Sequence, residues 1–438
     1  MSEIFQLPQK ALRILHGYLR LLWVRVTAMG ILGIVTIAVS QGIEALLPVE
    51  WQSRISGAAA DRLLDLIANG MLAVTTFSLT VMVSTYHATA SQFTPRIHQL
   101  IREDAITQNT LATFIGAYVY ALTAIVLREV TWLGDERALV LFCMTVLVLA
   151  LIVWSLIRWM QHLQTLGSLI NSARQVEDIT RTQFRERLDM PCLGATPLTG
   201  APPEDGIVIT APETGYIQII HPEPLHEAAE RMGVQIYFLE EIGSFVFYRT
   251  PFVRVTGLED DDEAREELAE LVRENIVMGD ERTFDQDPRF GLQTMSQIAS
   301  KALSPGINDP GTAIDVINRS GRILSEYRDE TDAEDSPPYP RLHARPLDAR
   351  ELISDAFWAI NRDGAQMVEV QKRLLKVLAG LMYHPDTELC EAAQEAATDY
   401  LHRALDAMDW DMDRDALQSV LGDKLGDAAG RAGTERST

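Results

Sequence analysis

Apolar residues dominate four stretches of the first 160 positions, roughly 21–40, 63–86, 109–128 and 138–157. About 20 residues of helix, at 1.5 Å each, cross the ~30 Å hydrocarbon core of a bilayer. The pattern therefore predicts four transmembrane helices within 1–160. The fourth stretch carries no charge along its length, whereas the second is the least apolar and holds Asn69 and many hydroxyls. A helical period without proline continues beyond the fourth, so 161–190 is expected to extend that last helix into the cytoplasm. Pro191, Pro197, Pro202 and Pro203 then mark a break.

Over 206–257 the period shortens. GIVITAPETGYIQII and GVQIYFLEEIGSFVFYRTPFVRVTG are rich in Val, Ile, Phe and Tyr and read as short strands, with one short helix, PEPLHEAAERMG, between them. From 259 to 424 the pattern is mostly helical. Asp309 with Pro310 and, further on, Asp386 are expected helix N-termini. The polar, proline-rich segment 328–340 is expected to be a mobile loop, and the tail 425–438 to be disordered.

The β-segment contains two similar phrases, Ala-Pro-Glu-Thr-Gly-Tyr-Ile at 211–217 and a Gly-Ser-Phe-Val phrase at 243–246 followed by Pro-Phe-Val at 251–253. They resemble the half-motif of a barrel-sandwich hybrid, the small β-fold of lipoyl and biotinyl carriers and of membrane-fusion adaptors. The carriers' Met-Lys-Met hairpin is missing, so this resemblance implies scaffolding and not acyl or carboxyl transfer.

Charge separates the two parts of the 438-residue chain. Residues 1–160 hold 11 basic and 10 acidic residues, leaving 27 basic and 51 acidic residues for 161–438. A region this acidic is a poor partner for nucleic acid, whose binding needs cations to neutralise phosphates. Its plain meaning is solubility. The three cysteines, Cys143, Cys192 and Cys390, define neither a disulfide framework nor a zinc spacing.

Basic residues flank the spans unevenly. Lys10, Arg13, Arg20 and Arg25 lie around the start of the first, Arg96 and Arg102 between the second and third, and Arg158, Arg174, Arg181, Arg185 and Arg187 after the fourth. By the positive-inside rule both termini face the cytoplasm, and so does the acidic part. A cleaved signal peptide is the competing reading of the first stretch. The long polar lead-in and the three spans that follow favour an uncleaved helix.

Two groups of residues are candidate sites. In the second span Thr76, Thr80, Ser84, His87 and Ser91 follow one another at three- and four-residue spacings and share a helix face. They can line a pore, offering oxygen ligands to ions or water, or they can serve helix packing. In the soluble part Glu281, Arg282, Asp285, Asp287, Arg289, Asn308 and Asp309 fall within 281–315. Among them Arg282, Asp285, Asp287, Asn308 and Asp309 form a candidate ligand or subunit-contact cluster. The alternative is a set of caps and salt bridges fixing a turn. His221 and His226 lack further partners in sequence and are read as surface histidines. No Walker loop, Rossmann fingerprint, His-Glu-x-x-His or Gly-x-Ser-x-Gly occurs, and no nucleophile stands with a base. No catalytic residue, cofactor or metal is assigned, and an enzyme is not expected.

Longer phrases carry a family resemblance. TTFSLTVMVSTYHATASQFTPR (75–96), TFIGAYVYAL (113–122), APETGYIQII (211–220), ERTFDQDPRFGLQTMSQIASKALSPGINDPGTAID (281–315) and AFWAINRDG (356–364) resemble the bacterial membrane-protein family catalogued as domain of unknown function 2254. ALSPGINDPGTA (302–313) is the most specific of them. The resemblance implies an integral membrane protein with a cytoplasmic domain and transfers no catalytic residue.

The expected architecture is a four-helix transmembrane domain followed by a cytoplasmic α+β domain, in a multi-pass protein of the bacterial inner membrane. Two functions stand. One is a homo-oligomeric, channel-like protein with a cytoplasmic vestibule, lipid and ions being its partners. The other is a membrane-tethered scaffold or sensor whose cytoplasmic domain binds a partner or ligand.

Overall fold

The computed structural model describes residues 22–44, 57–90, 105–130, 139–163, 169–258, 262–332 and 336–421. The expected disordered tail, 425–438, lies outside them. The chain divides into two compact units, with the boundary in sequence after Ser168.

Among the described residues the first unit has four helices: α1 (Leu22–Glu44), α2 (Gly57–Ala90), α3 (Ala105–Val130) and α4 (Leu139–Leu163). α3 is central and touches the other three. Its Phe114, Ala117, Tyr120, Ala121 and Ala124 are buried with Leu64 and Ile67 of α2 and Val148 and Ile152 of α4. Small residues let the backbones close up. A Cβ on Gly33 of α1 would stand 3.2 Å from the Tyr120 carbonyl oxygen, so glycine sets this approach. Among the described residues three helical segments are long and apolar enough to cross a membrane: Ala58–Thr85, Ile106–Val130 and Leu139–Leu163. The first of the four expected spans forms a helix, but its apolar part, Val26–Val39, is shorter.

The second unit opens with α5 (Leu169–Asp189). The segment expected to extend the last span is helical over Leu169–Asp189, and residues 164–168, between it and α4, lie outside the described part. Among the described residues eight strands follow in two sheets. β1 (Ala195–Pro197), β2 (Ile207–Thr210), β4 (Gln235–Phe238), β6 (Pro251–Thr256) and β8 (Tyr339–Ala344) form a five-stranded sheet in the order β1-β8-β4-β6-β2. β3 (Gly215–Ile220), β5 (Phe245–Val246) and β7 (Ile276–Gly279) form an antiparallel sheet in the order β5-β3-β7. α6 (Pro222–Met232) and α7 (Asp262–Asn275) add Leu225, Ala229, Leu268 and Val272 to the core shared with the strands.

This departs from the expected β-module at 206–257 in two ways. Strands from 195–197, 276–279 and 339–344 join it, and β8 pairs parallel with both β1 and β4. The mixed sheet with two packed helices is not the all-β topology that a barrel-sandwich hybrid has. The expected mobile loop at 328–340 is also corrected. Glu330 is buried and held by Arg187, and Tyr339 and Pro340 belong to β8; residues 333–335 lie outside the described part.

The rest is helical: α8 (Pro288–Ala302), α9 (Pro310–Leu324), α10 (Ala349–Asp363), α11 (Val368–Leu381), α12 (Thr387–Ala407) and α13 (Asp411–Leu421). α8 is the hub, touching α5, α9 and α10. Aspartate side chains cap α8, α9, α10 and α12 through Asp287, Asp309, Asp348 and Asp386. Each gives at least one of the otherwise unbonded N–H groups of a first helical turn its acceptor, and Asp386 serves two, Glu388 N and Leu389 N.

Candidate functional site

α2 buries one face and presents another. Ala60, Leu64, Ile67, Met71 and Ser78 are buried against the bundle. Thr76, Thr80 and Ser84 are exposed, away from the helix's own packing face. The exposed line continues toward the helix start through Ala73, Asn69, Asp65 and Arg62. With 3.6 residues per turn these seven positions fall within an arc of about 100°, opposite the buried residues. Apolar side chains flank the line on both sides, Leu66 and Phe77 on one and Leu72, Leu79 and Val83 on the other, all exposed. A polar strip bordered by apolar residues thus runs the length of a segment long and apolar enough to cross a membrane.

The hydroxyls on this strip are partly spent. Thr76 Oγ1 donates to Leu72 O at 2.9 Å and Thr80 Oγ1 to Thr76 O at 2.9 Å. Such back-bonding lowers the cost of a hydroxyl in an apolar medium. Asn69 is different. Its amide has two donors and a carbonyl acceptor, and no partner for it occurs among the described residues. At the helix start Asp61 pairs with Arg128 of α3 at 3.1 Å, tying these two ends together beside the strip. Of the residues named from sequence, Thr76, Thr80 and Ser84 take this face. The His87 side chain and Ser91 lie outside the described part. Sequence reading of the strip missed Asn69, Asp65 and Arg62, although Asn69 stands seven residues before Thr76, two helical turns on the same face.

The second candidate does not form one cluster. Arg282 donates to both oxygens of Asp287, Nε at 2.6 Å and Nη2 at 3.1 Å, and its Nη1 reaches Gln293 Oε1 at 3.0 Å. Asp287 also accepts from Phe290 N at 2.9 Å, as the cap of α8. Burial pushes the Asp287 carboxyl above the usual range, opposed by the hydrogen bonds and charge of Arg282. Asp309 stands at the other end of α8: its N–H donates to Ala302 O at 2.9 Å while its carboxylate caps α9. Hydrogen bonds from the Thr312 hydroxyl and N–H hold Asp309 below the usual range. Fifteen helical residues, about 22 Å, separate the two aspartates. Asn308 is exposed with a φ of 51°, and Asp285 is exposed. The named residues are thus two capping groups at opposite ends of one helix.

A larger polar network surrounds the start of α8. Arg289 Nε donates to Asp355 Oδ2 at 2.7 Å, and the same guanidinium pairs with Glu351 and, at 3.6 Å, with Glu241. Gln293 Nε2 donates to Asp355 Oδ1 at 2.7 Å. Arg345 stands 3.8 Å from Glu241, and burial raises the Glu241 carboxyl. The cavity among Arg187, Glu241, Arg289 and Arg345 has a volume of about 40 Å³, space for about one water. These charges compensate one another, which suits a joint between the sheets and the helices better than a ligand site. Among the described residues no group of three or more His, Cys, Asp and Glu side chains could hold a metal ion.

The comparisons with known proteins agree with the membrane segments. Residues 20–380 match the family described as predicted membrane protein, DUF2254. The chain belongs to this family. Similar curated proteins include an uncharacterized protein of Mycobacterium bovis and one of Mycobacterium tuberculosis. Each is 29% identical over 134 residues, 28% of this chain and 24% of theirs. The chain thus covers about a quarter of the length of these relatives. No solved structure matches it. As a DUF2254 member the protein is a membrane protein, and the first unit holds helices long and apolar enough to cross a bilayer.

Proposed function

We propose that this protein is an oligomeric, channel-like protein of the bacterial inner membrane, in which α2 of each copy contributes its polar strip to a shared path. The observation that supports this reading is direction. Arg62, Asp65, Asn69, Thr76, Thr80 and Ser84 point away from the bundle that α2 packs into. Polar groups facing hydrocarbon are costly and in membrane helices turn toward a protein interior or water. The remaining way to shelter this face is a further copy or a water-filled path between copies. In this reading α1 is a fourth span, both termini are cytoplasmic, and the acidic soluble part forms a vestibule that concentrates cations.

A membrane-tethered scaffold or sensor is the second reading. The back-bonded hydroxyls of Thr76 and Thr80 favour it, because they lower the cost of leaving that face in lipid as a monomer.

The mass of the protein in lipid nanodiscs separates the two. A monomer overturns the channel, since four helices packed on one another leave little room for water. A ring of three or more copies leads to ion flux in liposomes. Thr80→Leu is then expected to abolish flux with the fold retained, and unchanged flux in the folded variant overturns the lining role.

A further inference from the structure

β5 and the turn that follows it bear an aromatic cluster for which the channel reading has no use. Phe245, Phe247 and Tyr248 are 47%, 65% and 58% exposed. The Phe245 ring meets Tyr216 edge-on at 4.9 Å and Phe247 edge-on at 5.4 Å. The Arg249 guanidinium lies 5.2 Å from the Tyr248 ring. Contiguous exposed apolar surface of this kind marks an interaction site.

The turn is also built to hold these rings outward. Arg249 N donates to Ala211 O at 3.0 Å, Ala211 N to Thr250 O at 2.9 Å, and Thr250 N to Phe247 O at 2.9 Å. Tyr248 N donates to Thr214 Oγ1 at 2.9 Å. Arg249 itself has a φ of 67°, a left-handed conformation that a residue with a side chain adopts only when its surroundings enforce it.

Charge narrows the choice of partner. From 242 to 258 the chain has Arg249 and Arg254 and no carboxylate, inside a region of 51 acidic and 27 basic residues. Glu213 is the only acidic residue of the adjoining segment 211–217.

We infer that this turn is an interfacial anchor: Phe245, Phe247 and Tyr248 insert into the headgroup layer of the phospholipid bilayer, and Arg249 binds a lipid phosphate. Aromatic rings, those with a polar handle above all, settle at the membrane–water boundary. A guanidinium grips phosphate through two parallel hydrogen bonds. The acidic remainder of the domain is repelled by an anionic leaflet, so contact falls to this carboxylate-poor turn. A bilayer is always at hand for a membrane protein. The inference holds for a monomer and for a ring alike and does not rest on the channel.

The test places the photo-crosslinker p-benzoylphenylalanine at Phe247 of the full chain, in nanodiscs of phosphatidylcholine and phosphatidylglycerol. The side chain is mostly exposed, so an unchanged melting temperature serves as the folding control. Irradiation is expected to yield a lipid adduct by mass. Its yield should exceed that from the same probe at exposed Tyr383 and fall when Arg249→Ala is added. An adduct to a second protein chain overturns the inference, and so does a lipid yield no higher than at position 383.

Discussion

Tyr237 and His343 stack face to face, their ring centroids 4.3 Å apart and their planes 9° from parallel, across the parallel pair of β4 and β8. His343 Nε2 also meets Gln235 Oε1 at 3.0 Å. Burial lowers the pKa of this imidazole below its ordinary value. As pH falls, the unfolded chain therefore takes up the proton before the folded one does. Stability present at neutral pH is lost from about pH 6.5 downward, until the folded imidazole is protonated as well. His343→Phe keeps a stacking ring and removes the proton site. Its melting temperature is expected to fall less between pH 7 and pH 5 than that of the wild type, and equal falls would show that His343 contributes nothing to the pH dependence.

Arg187 and Glu330 form a buried bidentate pair, Nε to Oε1 at 2.5 Å and Nη2 to Oε2 at 3.0 Å, and Glu330 Oε2 also accepts from Leu347 N at 2.8 Å. Arg187→Met leaves a buried carboxylate without its cation and is expected to cost about 3–5 kcal/mol. Adding Glu330→Gln should recover part of that loss, because the amide oxygen still accepts from Leu347. The pair Arg350–Glu395 has similar geometry but is exposed on both sides. Arg350→Ala should cost no more than about 1 kcal/mol. Denaturant titration checks the ranking, and equal costs would refute the role given to burial.

Gly291 of α8 faces Thr180 of α5 so closely that a methyl group at 291 would overlap the threonine side chain. Thr180 is buried, and its hydroxyl donates to Val176 O at 2.6 Å, so it has little freedom to yield. Gly291→Ala is expected to destabilise by about 1–3 kcal/mol through overpacking. Gly380 of α11 has nothing within 4 Å of a Cβ placed on it. Gly380→Ala should stabilise by up to about 1 kcal/mol through helix propensity. Thermal melts of the two variants shifting in the same direction would contradict this packing account.

Asn69 is the strongest hydrogen-bonding group on the outward face of α2 that lies deep within the span. Asn69→Leu makes that position as apolar as its flanks, Leu66 and Leu72. The variant is expected to lose oligomeric mass in nanodiscs, whereas Leu72→Ala retains it. Full retention by the Asn69 variant would leave the polar strip without a role in assembly.

How much of this was readable beforehand depends on whether the cause is local. Asp309–Pro310 and Asp386 signal helix starts from neighbouring residues, and both cap helices in the structure. The periodicity of Thr76, Thr80 and Ser84 was equally visible. Which face of α2 packs was not, since that depends on Phe114 and Val148 meeting Leu64 and Ile67 from other helices. β8 was hidden for a similar reason. YPRLHA follows an acidic, proline-rich run and carries two basic side chains, so only its distant partners make it a strand. The group at 281–315 looked like one site because a helix between two aspartates reads as short spacing in sequence and becomes length in space.

β8 lies between β1 and β4, and its place in the sheet has a consequence for how the chain is born. Synthesis runs from the N-terminus. About 100 residues separate the end of β4 from the start of β8, and α8 and α9 are made within that interval. Until Ala344 has left the ribosome, the edge of β4 that β8 will cover is open and β1 has no partner. An open strand edge is a template for pairing with other chains. This inner seat of the sheet, between β1 and β4, is filled late, so a nascent chain of this protein passes through a window in which a chaperone, or speed, must keep that seat empty.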